Sequence, residues 1–356
     1  MATLPSTQSA IVANATGDLV LSPDIPLPDL EPDMILVKTV AVALNPVDTK
    51  VVGKMATKGA IAGGDFAGIV VALGSGASRF AIEDRVCGAV QSMNPLLPRV
   101  GAFAEYVAAT ADFTLKIPDN MSFESAATLG IGVATIGYAL FRSLKIPGDP
   151  EQPASKPNYV LVYGGSTASG TMAIQLVRRS GLIPITTCSP RNFPLVERYG
   201  AEKAFDYHSP TAVDEIRKYT KNALVYALDC FCDASSMIFC YGALGRAGGR
   251  YTTLEPYLER LHTRKTVKPD WVLGPALFGK KIAWNGPYGL EGDPQLRVFG
   301  REWFLCAQRM LDRGEIVPHP ARVGEKIGLE GVLDGLELLR KRAVSGEKLV
   351  YRVAES

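Results

Sequence analysis

The stretch "YVLVYGGSTASGTMAIQLVRRSG", Tyr159 to Gly181, decides the fold of the second half of the chain. Its apolar run, Tyr159 to Tyr163, is followed by two glycines and then by apolar residues at helical spacing. A strand that turns through glycines into a helix is typical of a dinucleotide-binding βαβ unit. The middle of this turn reads Ser-Thr-Ala-Ser instead of glycines, so the turn alone is a weak signal. A tight turn with hydroxyl caps remains the alternative.

The segments after this turn repeat the order of strand and helix. Apolar runs of strand length alternate with helical segments that begin near Ala168, Asn192, Thr211 and Ala234. This β-α-β-α-β order predicts a doubly wound parallel sheet, and in that setting the turn is expected to bind a cofactor. The predicted strands are residues 159–163, 182–188, 203–207, 224–230 and 248–254.

The first 120 residues carry a different pattern. Short β-rich runs are bounded by Gly, Pro, Asn and Asp, which predicts a β-barrel-like domain. A helical stretch, residues 122–144, follows with Ser122 as its N-cap, and residues 145–158 form a connection with four prolines. Near the C-terminus, residues 328–343 predict a helix and residues 346–353 a strand.

Composition limits the possible functions. The 356 residues suffice for two domains, and a net charge of +2 gives no bulk attraction to nucleic acid or to a membrane. No apolar run reaches the roughly 18 residues needed to span a bilayer, and the N-terminus lacks the features of a signal peptide. The six cysteines are scattered, without the spacing of a disulfide framework. A cytoplasmic location is expected.

The residues of the turn suit a phosphate group. Gly164 and Gly170 bracket it, and Ser166, Thr167 and Ser169 supply hydroxyl donors at the start of a helix. Free N–H groups and the helix dipole favour an anion there.

The second predicted strand indicates which dinucleotide binds. A site for NAD places Asp or Glu at the end of this strand, whereas this chain has Ser189, Pro190, Arg191 and Asn192. The Ser189 hydroxyl and the Arg191 guanidinium suit a 2′-phosphate, and Tyr207 ends the next strand. NADPH is therefore the expected cofactor. A solvated helix start with an ordinary arginine is the alternative.

The chain resembles the medium-chain dehydrogenase/reductase superfamily. The motifs "ALNPVDTK" (43–50), "GGDFAGIVVALGSG" (63–76), "GAFAEYV" (101–107) and "IPDNMSFESAATL" (117–129) come in family order with the later turn. The resemblance implies an α/β protein with a GroES-like β-barrel domain and a Rossmann domain. The expected boundaries are 1–140 for the GroES-like catalytic domain, 141–290 for the Rossmann NADPH-binding domain, and 291–356 for the return to the catalytic domain.

A narrower resemblance concerns function. "VYGGSTASGT", "TTCSPRNF", "YALDC", "DWVLGPALFG" and "SGEKLVYRV" look like the trans-acting enoyl reductases of fungal polyketide gene clusters, the lovastatin type. This resemblance implies NADPH-dependent reduction of an enoyl chain carried on the acyl carrier domain of a partner polyketide synthase. A soluble quinone or enone reductase and a non-catalytic NADPH-binding protein remain the alternatives.

The same comparison bears on zinc. Zinc alcohol dehydrogenases carry a Cys ligand and a Gly-His-Glu motif where this chain has Asn45 and Gly63-Gly64-Asp65. Cys87 has no cysteine neighbours for a structural zinc lobe, and Cys230 and Cys232 are too close together for a usual zinc pair. The expected metal content is none, which places the chain in the zinc-free branch.

Two side chains are candidates for catalysis. The resemblance places the segment that ends in Lys50 opposite the nicotinamide, and Thr135 lies in an apolar helix from which its hydroxyl can reach the substrate. Enoyl reduction needs such donors at the thioester oxygen. A surface lysine and a hydroxyl bonded to its own helix are the alternatives.

A monomer is expected because prolines and glycines after residue 254 disfavour the long edge strand through which two sheets could pair. A short edge strand at "DWVL" or "KIAW" stays open. Basic residues in 259–268 are a candidate docking patch for an acidic carrier, a solvated face being the alternative.

The expected cofactor contacts are Val47, Asp48, Thr49, Lys50, Gly164, Gly165, Ser166, Thr167, Ala168, Ser169, Ser189, Pro190, Arg191, Asn192, Tyr207, Leu254, Glu255, Val344 and Ser345. The expected substrate contacts are Thr135, Ile136, Gly137, Tyr138, Ala139, Leu140, Phe141, Arg142, Gly274, Pro275, Ala276, Leu277 and Phe278.

Overall fold

Strands and helices follow the order that the sequence patterns predict, with additions in the last third. The computed structural model describes residues 4–354. Its strands are β1 Thr7–Ala13, β2 Leu19–Pro26, β3 Met34–Ala43, β4 Asp65–Leu73, β5 Arg85–Ala89, β6 Tyr106–Thr110, β7 Thr114–Lys116, β8 Tyr159–Tyr163, β9 Ile183–Thr187, β10 Lys203–Phe205, β11 Tyr226–Asp229, β12 Gly249–Thr253, β13 Val267–Trp271, β14 Ala321–Val323 and β15 Lys348–Arg352. Its α-helices are α1 Phe123–Ala126, α2 Gly130–Gly137, α3 Ala168–Arg179, α4 Phe193–Arg198, α5 Ala212–Tyr219, α6 Ala234–Ala243, α7 Pro294–Asp312 and α8 Glu330–Arg340.

The chain divides into two compact units. Unit 1 comprises Met1–Ala134 and Pro275–Ser356, and unit 2 comprises Thr135–Gly274. Both divisions come earlier in the chain than the expected boundaries after residues 140 and 290. The π-helical turn Tyr138–Ser143 belongs to unit 2 because Ser143 Oγ bonds Thr252 Oγ1 at 2.9 Å and Asp270 Oδ2 at 2.7 Å.

The segment after residue 274 belongs to unit 1 for an equally local reason. Trp284 Nε1 donates to the Met93 carbonyl at 2.8 Å, and Asn94 Nδ2 donates to the Lys281 carbonyl at 3.0 Å. Asn94 is fully buried, so these bonds are shielded from water. The described part of segment 275–356 also contributes β14, β15, α7 and α8 to unit 1.

Unit 1 is built around β3. This strand pairs antiparallel with β4, β6 and β15, and the sheet runs in the order β14-β15-β3-β4-β5-β7, with β6 added on β3. Nine of the ten β3 residues are buried, as expected for a central strand covered on both faces. β1 and β2 form a separate antiparallel hairpin. The barrel-like β-domain predicted from the first 120 residues is confirmed.

Unit 2 is a parallel sheet of six strands in the order β10-β9-β8-β11-β12-β13. The chain proceeds from β8 outward through β9 to β10 and then returns to β11 on the other side of β8. The strand order therefore reverses between β8 and β11, and such a switch point forms the ligand crevice of doubly wound folds. The five strands and four helix starts predicted from the sequence are confirmed here.

A short strand, β13, forms the edge of the sheet next to β12. The sequence had left open whether such an edge strand is present. β13 pairs with β12 in parallel over Val267–Trp271, and Pro269 lies in the middle of it. A proline removes one ladder donor, so this five-residue edge offers an interrupted row of N–H groups.

The expectation that no apolar segment is long enough to span a membrane was wrong for one stretch. The helical stretch Phe123–Ser143 passes that test by length and composition. About 67% of its apolar window is buried inside the protein, as in the core helix of a globular fold, and such a single helix is weak support for a membrane span.

Candidate functional site

The turn between β8 and α3 has no room for side chains at its glycines. Gly164 has φ = 87°, in the region that glycine adopts readily. A Cβ on Gly165 would lie 2.0 Å from Thr186 Oγ1, and one on Gly170 would lie 2.3 Å from the Gly164 carbonyl oxygen. The glycines thus allow strand and helix to approach closely, as in a dinucleotide-binding turn. The turn fits a dinucleotide although its central glycine is missing.

The Thr167 hydroxyl is a cap and not the phosphate donor that the sequence suggested. Its Oγ1 donates to the Gly164 carbonyl at 2.8 Å and accepts from the Gly170 N–H at 2.9 Å. Thr167 is the N-cap of α3, so its proton is used within the turn. Ser166, Ala168 and Ser169 are half-buried, and the N–H groups of the first helical turn have no acceptor inside the helix.

The end of β9 presents hydroxyl and guanidinium groups. Ser189 is half-buried, Arg191 is exposed, and the Ser189 hydroxyl lies 3.4 Å from the Tyr207 hydroxyl. Pro190 and Asn192 belong to a single 3₁₀ turn that begins after Ser189. The structure therefore brings the hydroxyls of Ser189 and Tyr207 together at the end of β9.

A buried carboxylate at the end of β11 fixes the loop that follows, and sequence reasoning missed it. Asp229 is fully buried and accepts from the N–H groups of Phe231 and Cys232 at 2.9 and 3.0 Å. It also accepts from Ser236 Oγ at 2.6 Å and Tyr251 OH at 2.8 Å. Burial raises the pKa of Asp229, while these four donors lower it.

The loop after β12 joins the same network. The Leu254 N–H donates to Cys232 Sγ at 3.1 Å, and Cys232 has φ = 63°, a left-handed conformation. The Thr253 hydroxyl donates to the Glu255 carbonyl. Leu254 and Glu255 are half-buried at the C-terminal end of β12, the edge of the sheet where the Rossmann crevice opens.

Thr135 and Gly274, at the two ends of unit 2, lie against each other. A Cβ on Gly274 would stand 2.6 Å from Thr135 Oγ1, so the backbone of Gly274 approaches the hydroxyl closely. Thr135 is half-buried, and its hydroxyl makes no hydrogen bond to other residues of the described range 4–354. The alternative of a hydroxyl bonded to its own helix is not seen.

The predicted substrate segments divide into accessible and buried residues. In the π-helical turn, Tyr138 and Phe141 are half-buried and Arg142 is exposed, and such turns are frequent at functional sites. In the second segment, Leu277 is fully buried and the Phe278 ring packs 4.4 Å from that of Phe113. These last two side chains belong to the core of unit 1, which corrects their expected role. Ile136, Gly137, Ala139 and Leu140 are buried, and Pro275 and Ala276 are half-buried.

Lys50 follows a 3₁₀ helix, Pro46–Thr49, whose expected cofactor contacts differ in exposure. Lys50 is exposed, whereas the Asp48 carboxylate is turned inward and accepts from the Asn45 N–H at 2.7 Å. Burial, with a smaller contribution from the nearby Asp65, raises the pKa of Asp48 to about 7. Asp48 is therefore a buried cap rather than an exposed contact. Val47 and Val344 pack on the core of unit 1, Thr49 is half-buried, and Ser345 is exposed.

A buried ion pair lies beside this 3₁₀ helix. Asp65 Oδ2 accepts from Lys348 Nζ at 2.5 Å and from Asn45 Nδ2 at 2.8 Å, and Asp65 Oδ1 accepts from the Ile131 N–H at 2.6 Å. The carboxylate thus ties together the starts of four segments: the 3₁₀ helix, β4, α2 and β15. The sequence drew attention to Asn45 and Asp65 only as positions that lack zinc ligands.

The surroundings of this pair are also buried. Burial, with a smaller contribution from the charge of Lys348, lowers the pKa of His319 to about 3, and burial raises the pKa of Cys87. Within residues 4–354, no group of three or more His, Cys, Asp or Glu side chains could hold a metal ion.

One residue of the candidate docking patch in 259–268, Arg264, is used within the fold. The Arg264 guanidinium donates to the carbonyls of Tyr241, Leu244 and Gly245 at 2.6, 3.0 and 2.6 Å. These carbonyls lie at the C-terminal end of α6, where a cation is favourable. Arg264 is therefore a structural cap, while Arg260, Lys265 and Lys268 remain exposed.

Comparison with known proteins agrees with this geometry. Residues 31–119 match the family model described as alcohol dehydrogenase GroES-like domain. The chain is 56% identical to trans-enoyl reductase FSL5 of Gibberella zeae over 100% of its own length and 99% of the relative's. It is 52% identical to trans-enoyl reductase caaB of Aspergillus niger, with 98% of each chain covered.

A solved structure shows the same fold. A putative zinc-dependent alcohol dehydrogenase from Rhizobium etli superposes with a TM-score of 0.81 at 22% identity, covering 99% of this chain and 100% of that one. At this identity the likeness concerns the fold alone.

Proposed function

Because this chain belongs to the trans-enoyl reductases of the medium-chain dehydrogenase/reductase superfamily, we propose that it uses NADPH to reduce an enoyl chain on the acyl carrier domain of a partner polyketide synthase. Membership makes the chain an oxidoreductase that acts on an enoyl double bond and uses a nicotinamide cofactor. The choice of NADPH, the carrier-bound substrate and the roles of individual residues are the parts proposed.

One observation carries the choice of NADPH. The four residues after β9 and Cys188 contain no carboxylate, and the Ser189 hydroxyl lies 3.4 Å from that of Tyr207, with Arg191 exposed beside it. A 2′-phosphate carries two negative charges and needs donors, whereas a free ribose hydroxyl is held best by Asp or Glu. Ser189, Arg191 and Tyr207 would hold the 2′-phosphate, and the first turn of α3 would hold the pyrophosphate.

The chemical step needs few protein groups. When bound, the reduced cofactor supplies the hydride for the β-carbon of the enoyl thioester. The Thr135 hydroxyl, which has no partner among the described residues, donates a hydrogen bond to the thioester oxygen as negative charge develops there. Lys50 contributes a positive charge that orients cofactor or substrate.

Two further parts of the proposal concern the state of the protein. The interrupted edge strand β13 supports a monomer, because Pro269 removes a ladder donor that sheet-to-sheet pairing would use. None of the six cysteines, all of which lie in the described part of the chain, forms a disulfide, which is compatible with a reducing cytoplasm.

The test compares substrates that share one enoyl group. NADPH oxidation is followed with the enoyl chain on an acyl carrier domain, on pantetheine, and with a free quinone. The proposal expects the highest kcat/KM for the carrier-bound chain and much slower oxidation with quinone. Equal turnover of quinone and carrier-bound chain would contradict it. NADH replaces NADPH in a parallel series and is expected to be the poorer donor.

A further inference from the structure

A stretch of unit 1 carries positive charge that the protein does not neutralise. Residues 49–64 include Lys50, Lys54 and Lys58 but no Asp or Glu, and all three lysines are exposed. The ammonium groups of Lys54 and Lys58 make no ion pair and no hydrogen bond with other residues of the range 4–354. Neither the fold nor the proposed chemistry uses these two charges.

Hydrogen bonds from several directions hold the lysine loop, residues 53–59, which carries Lys54 and Lys58. The Gly53 N–H donates to the Gly17 carbonyl at 2.9 Å, and the Gly59 N–H donates to the Ala13 carbonyl at 2.8 Å. In the middle of the loop, Thr57 Oγ1 donates to the Met93 carbonyl at 2.9 Å. The two charges therefore stand on a constrained backbone, and such preorganisation lowers the entropy cost of binding.

The segments that hold the lysine loop contain little negative charge. Residues 14–18 include one acid, Asp18, whose carboxylate already accepts from Thr16 Oγ1 at 2.6 Å. Residues 91–98, around the Met93 carbonyl, include none. The positive potential of the loop is therefore available to an acidic partner.

An exposed apolar side chain lies on the neighbouring segment. Leu96 is 54% exposed and follows Met93, which is bonded to the lysine loop, by three residues. Apolar contacts surrounded by polar and charged groups are typical of a surface that binds another protein. A small inorganic anion would have no use for Leu96, so these residues together favour a protein partner.

The lysine loop also follows directly on a residue of the proposed reaction site. Lys50 and Lys54 are four positions apart, so their Cα atoms are separated by no more than about 14 Å. A carrier domain delivers its acyl chain on a phosphopantetheine arm, so the domain itself stays outside the reaction site, against residues that border it. The lysine loop has such a position relative to Lys50.

We propose that Lys54 and Lys58 dock the acyl carrier domain of the partner synthase by pairing with carboxylates on its surface. The inference rests on the proposed function for the nature of the partner and adds the place where this partner binds. It also distinguishes the lysine loop from the basic residues in 259–268. Lys265 and Lys268 lie at the amino end of β13, whereas the crevice of a doubly wound sheet opens at the carboxyl ends of its strands.

Steady-state kinetics with one enoyl group on three supports tests the inference. The group is attached to the carrier domain, to phosphopantetheine or to pantetheine. In the double variant Lys54→Ala, Lys58→Ala, KM for the carrier-bound chain should rise about 2- to 30-fold, as expected for the loss of two exposed ion pairs. We expect kcat, and KM for both small substrates, to stay at the wild-type values. Added salt should raise KM for the carrier-bound chain more in the wild type than in the variant.

The matched control removes two exposed lysines from the other basic patch. Lys265→Ala, Lys268→Ala should keep the wild-type KM for the carrier-bound chain. An equal rise of KM in this control would overturn the inference, as would an unchanged KM in Lys54→Ala, Lys58→Ala. A rise of the same size with phosphopantetheine would also overturn it, because the lysines would then bind the phosphate of the arm and not the carrier domain.

Binding measured without turnover provides a second test. Titration calorimetry follows binding of the carrier domain to the NADPH-saturated protein, and unchanged NADPH affinity shows that a variant is folded. Lys54→Glu, Lys58→Glu should bind the carrier domain more weakly than the alanine variant, because carboxylates on the two surfaces repel each other. Wild-type affinity in the glutamate variant would overturn the inference. Equal KM values of the wild type for carrier-bound and pantetheine-bound chains would contradict the proposed function itself, so the two failures are distinguishable.

Discussion

Lys348 Nζ lies 2.5 Å from Asp65 Oδ2, and the two side chains are only 4% and 0% exposed. The two residues are 283 positions apart in the sequence, so their ion pair joins β4 to β15, the last strand of unit 1. The same carboxylate holds Asn45, before the 3₁₀ helix that leads to Lys50, and the first turn of α2 through Ile131. This one group therefore holds the first turn of α2 and the segment that leads to Lys50.

Removing the cation of this pair should destabilise the protein strongly. Lys348→Met leaves the Asp65 carboxylate buried and uncompensated, which costs about 3–5 kcal/mol of unfolding free energy. The exposed pair Lys326–Asp334, with exposed side-chain fractions of 65% and 61%, is the matched control. Lys326→Met should leave stability almost unchanged, because solvent screens an exposed ion pair. Chemical denaturation measures both, and similar losses would show that burial of the pair is unimportant.

Asp48 should make stability fall with rising pH. Burial raises its pKa from 3.8 to about 7, with Asp65 adding to the rise and Asn45 and Lys348 opposing it. Between these two pH values the folded protein binds more protons than the unfolded chain, so stability decreases as pH rises from about 4 to about 7 and then levels off. Asp48→Asn should match the wild type near pH 4 and have the higher Tm at pH 8. Parallel Tm curves for the two proteins would contradict this.

His319 should act in the opposite direction. Burial lowers its pKa from 6.5 to about 3. Below pH 6.5 the histidine therefore binds a proton in the unfolded chain but stays neutral in the folded protein. This stability contribution is complete above pH 6.5 and is lost as pH falls toward 3. His319→Gln removes the group, and its Tm should decline less than that of the wild type between pH 6.5 and pH 4. A steeper decline in the variant would refute the assignment.

Arg191 should discriminate between the two dinucleotides. A charged hydrogen-bonded contact contributes about 1.5–3 kcal/mol, so Arg191→Ala should weaken NADPH by about 10- to 150-fold while leaving NADH nearly unchanged. Arg198→Ala, an exposed arginine on the following helix, is the control and should affect neither cofactor. Binding titrations of wild type and both variants with NADPH and NADH measure these affinities. Equal losses of NADPH and NADH affinity in Arg191→Ala would remove the argument for a 2′-phosphate contact.

The Thr135 hydroxyl should matter for turnover and not for cofactor binding. Thr135→Val keeps the shape and removes the donor, and loss of one such donor lowers kcat by about 10²- to 10³-fold. Gly274→Ala should also lower kcat, because its Cβ would stand 2.6 Å from Thr135 Oγ1. Gly132→Ala in the same helix has open space around its Cβ and is the control. Unchanged kcat in Thr135→Val would exclude the proposed role.

The regular elements could be predicted from the sequence because each is specified locally. β8 leads into α3 through two glycines, and the strand positions, the helix starts and the parallel sheet follow from the repeated order of strand and helix. α7 was missed although Asp293 and Pro294 are the N-cap and first residue of a helix. The prolines and glycines before it gave the whole segment an irregular character.

The tertiary partnerships could not be predicted, because no local pattern encodes them. Nothing near Lys348 indicates that its ammonium pairs with Asp65, and nothing near Arg264 indicates that it caps α6. The Thr167 hydroxyl and the Asp48 carboxylate were expected to face a ligand but are used within their own turns. Polar groups at helix starts serve capping and ligand binding alike, so the sequence leaves these two uses undistinguished.

The most direct test of the central claim is the mass of the carrier-bound chain after one turnover. An acyl carrier domain loaded with an α,β-enoyl chain is mixed with the protein and NADPH that carries deuterium at the transferred position of nicotinamide C4. We expect the chain to gain two hydrogens, one of them deuterium on the β-carbon, and NADH to give far less product in the same time. An enoyl chain of unchanged mass, with NADPH bound and the partner domain intact, would show that the protein is not an NADPH-dependent reductase of carrier-bound chains.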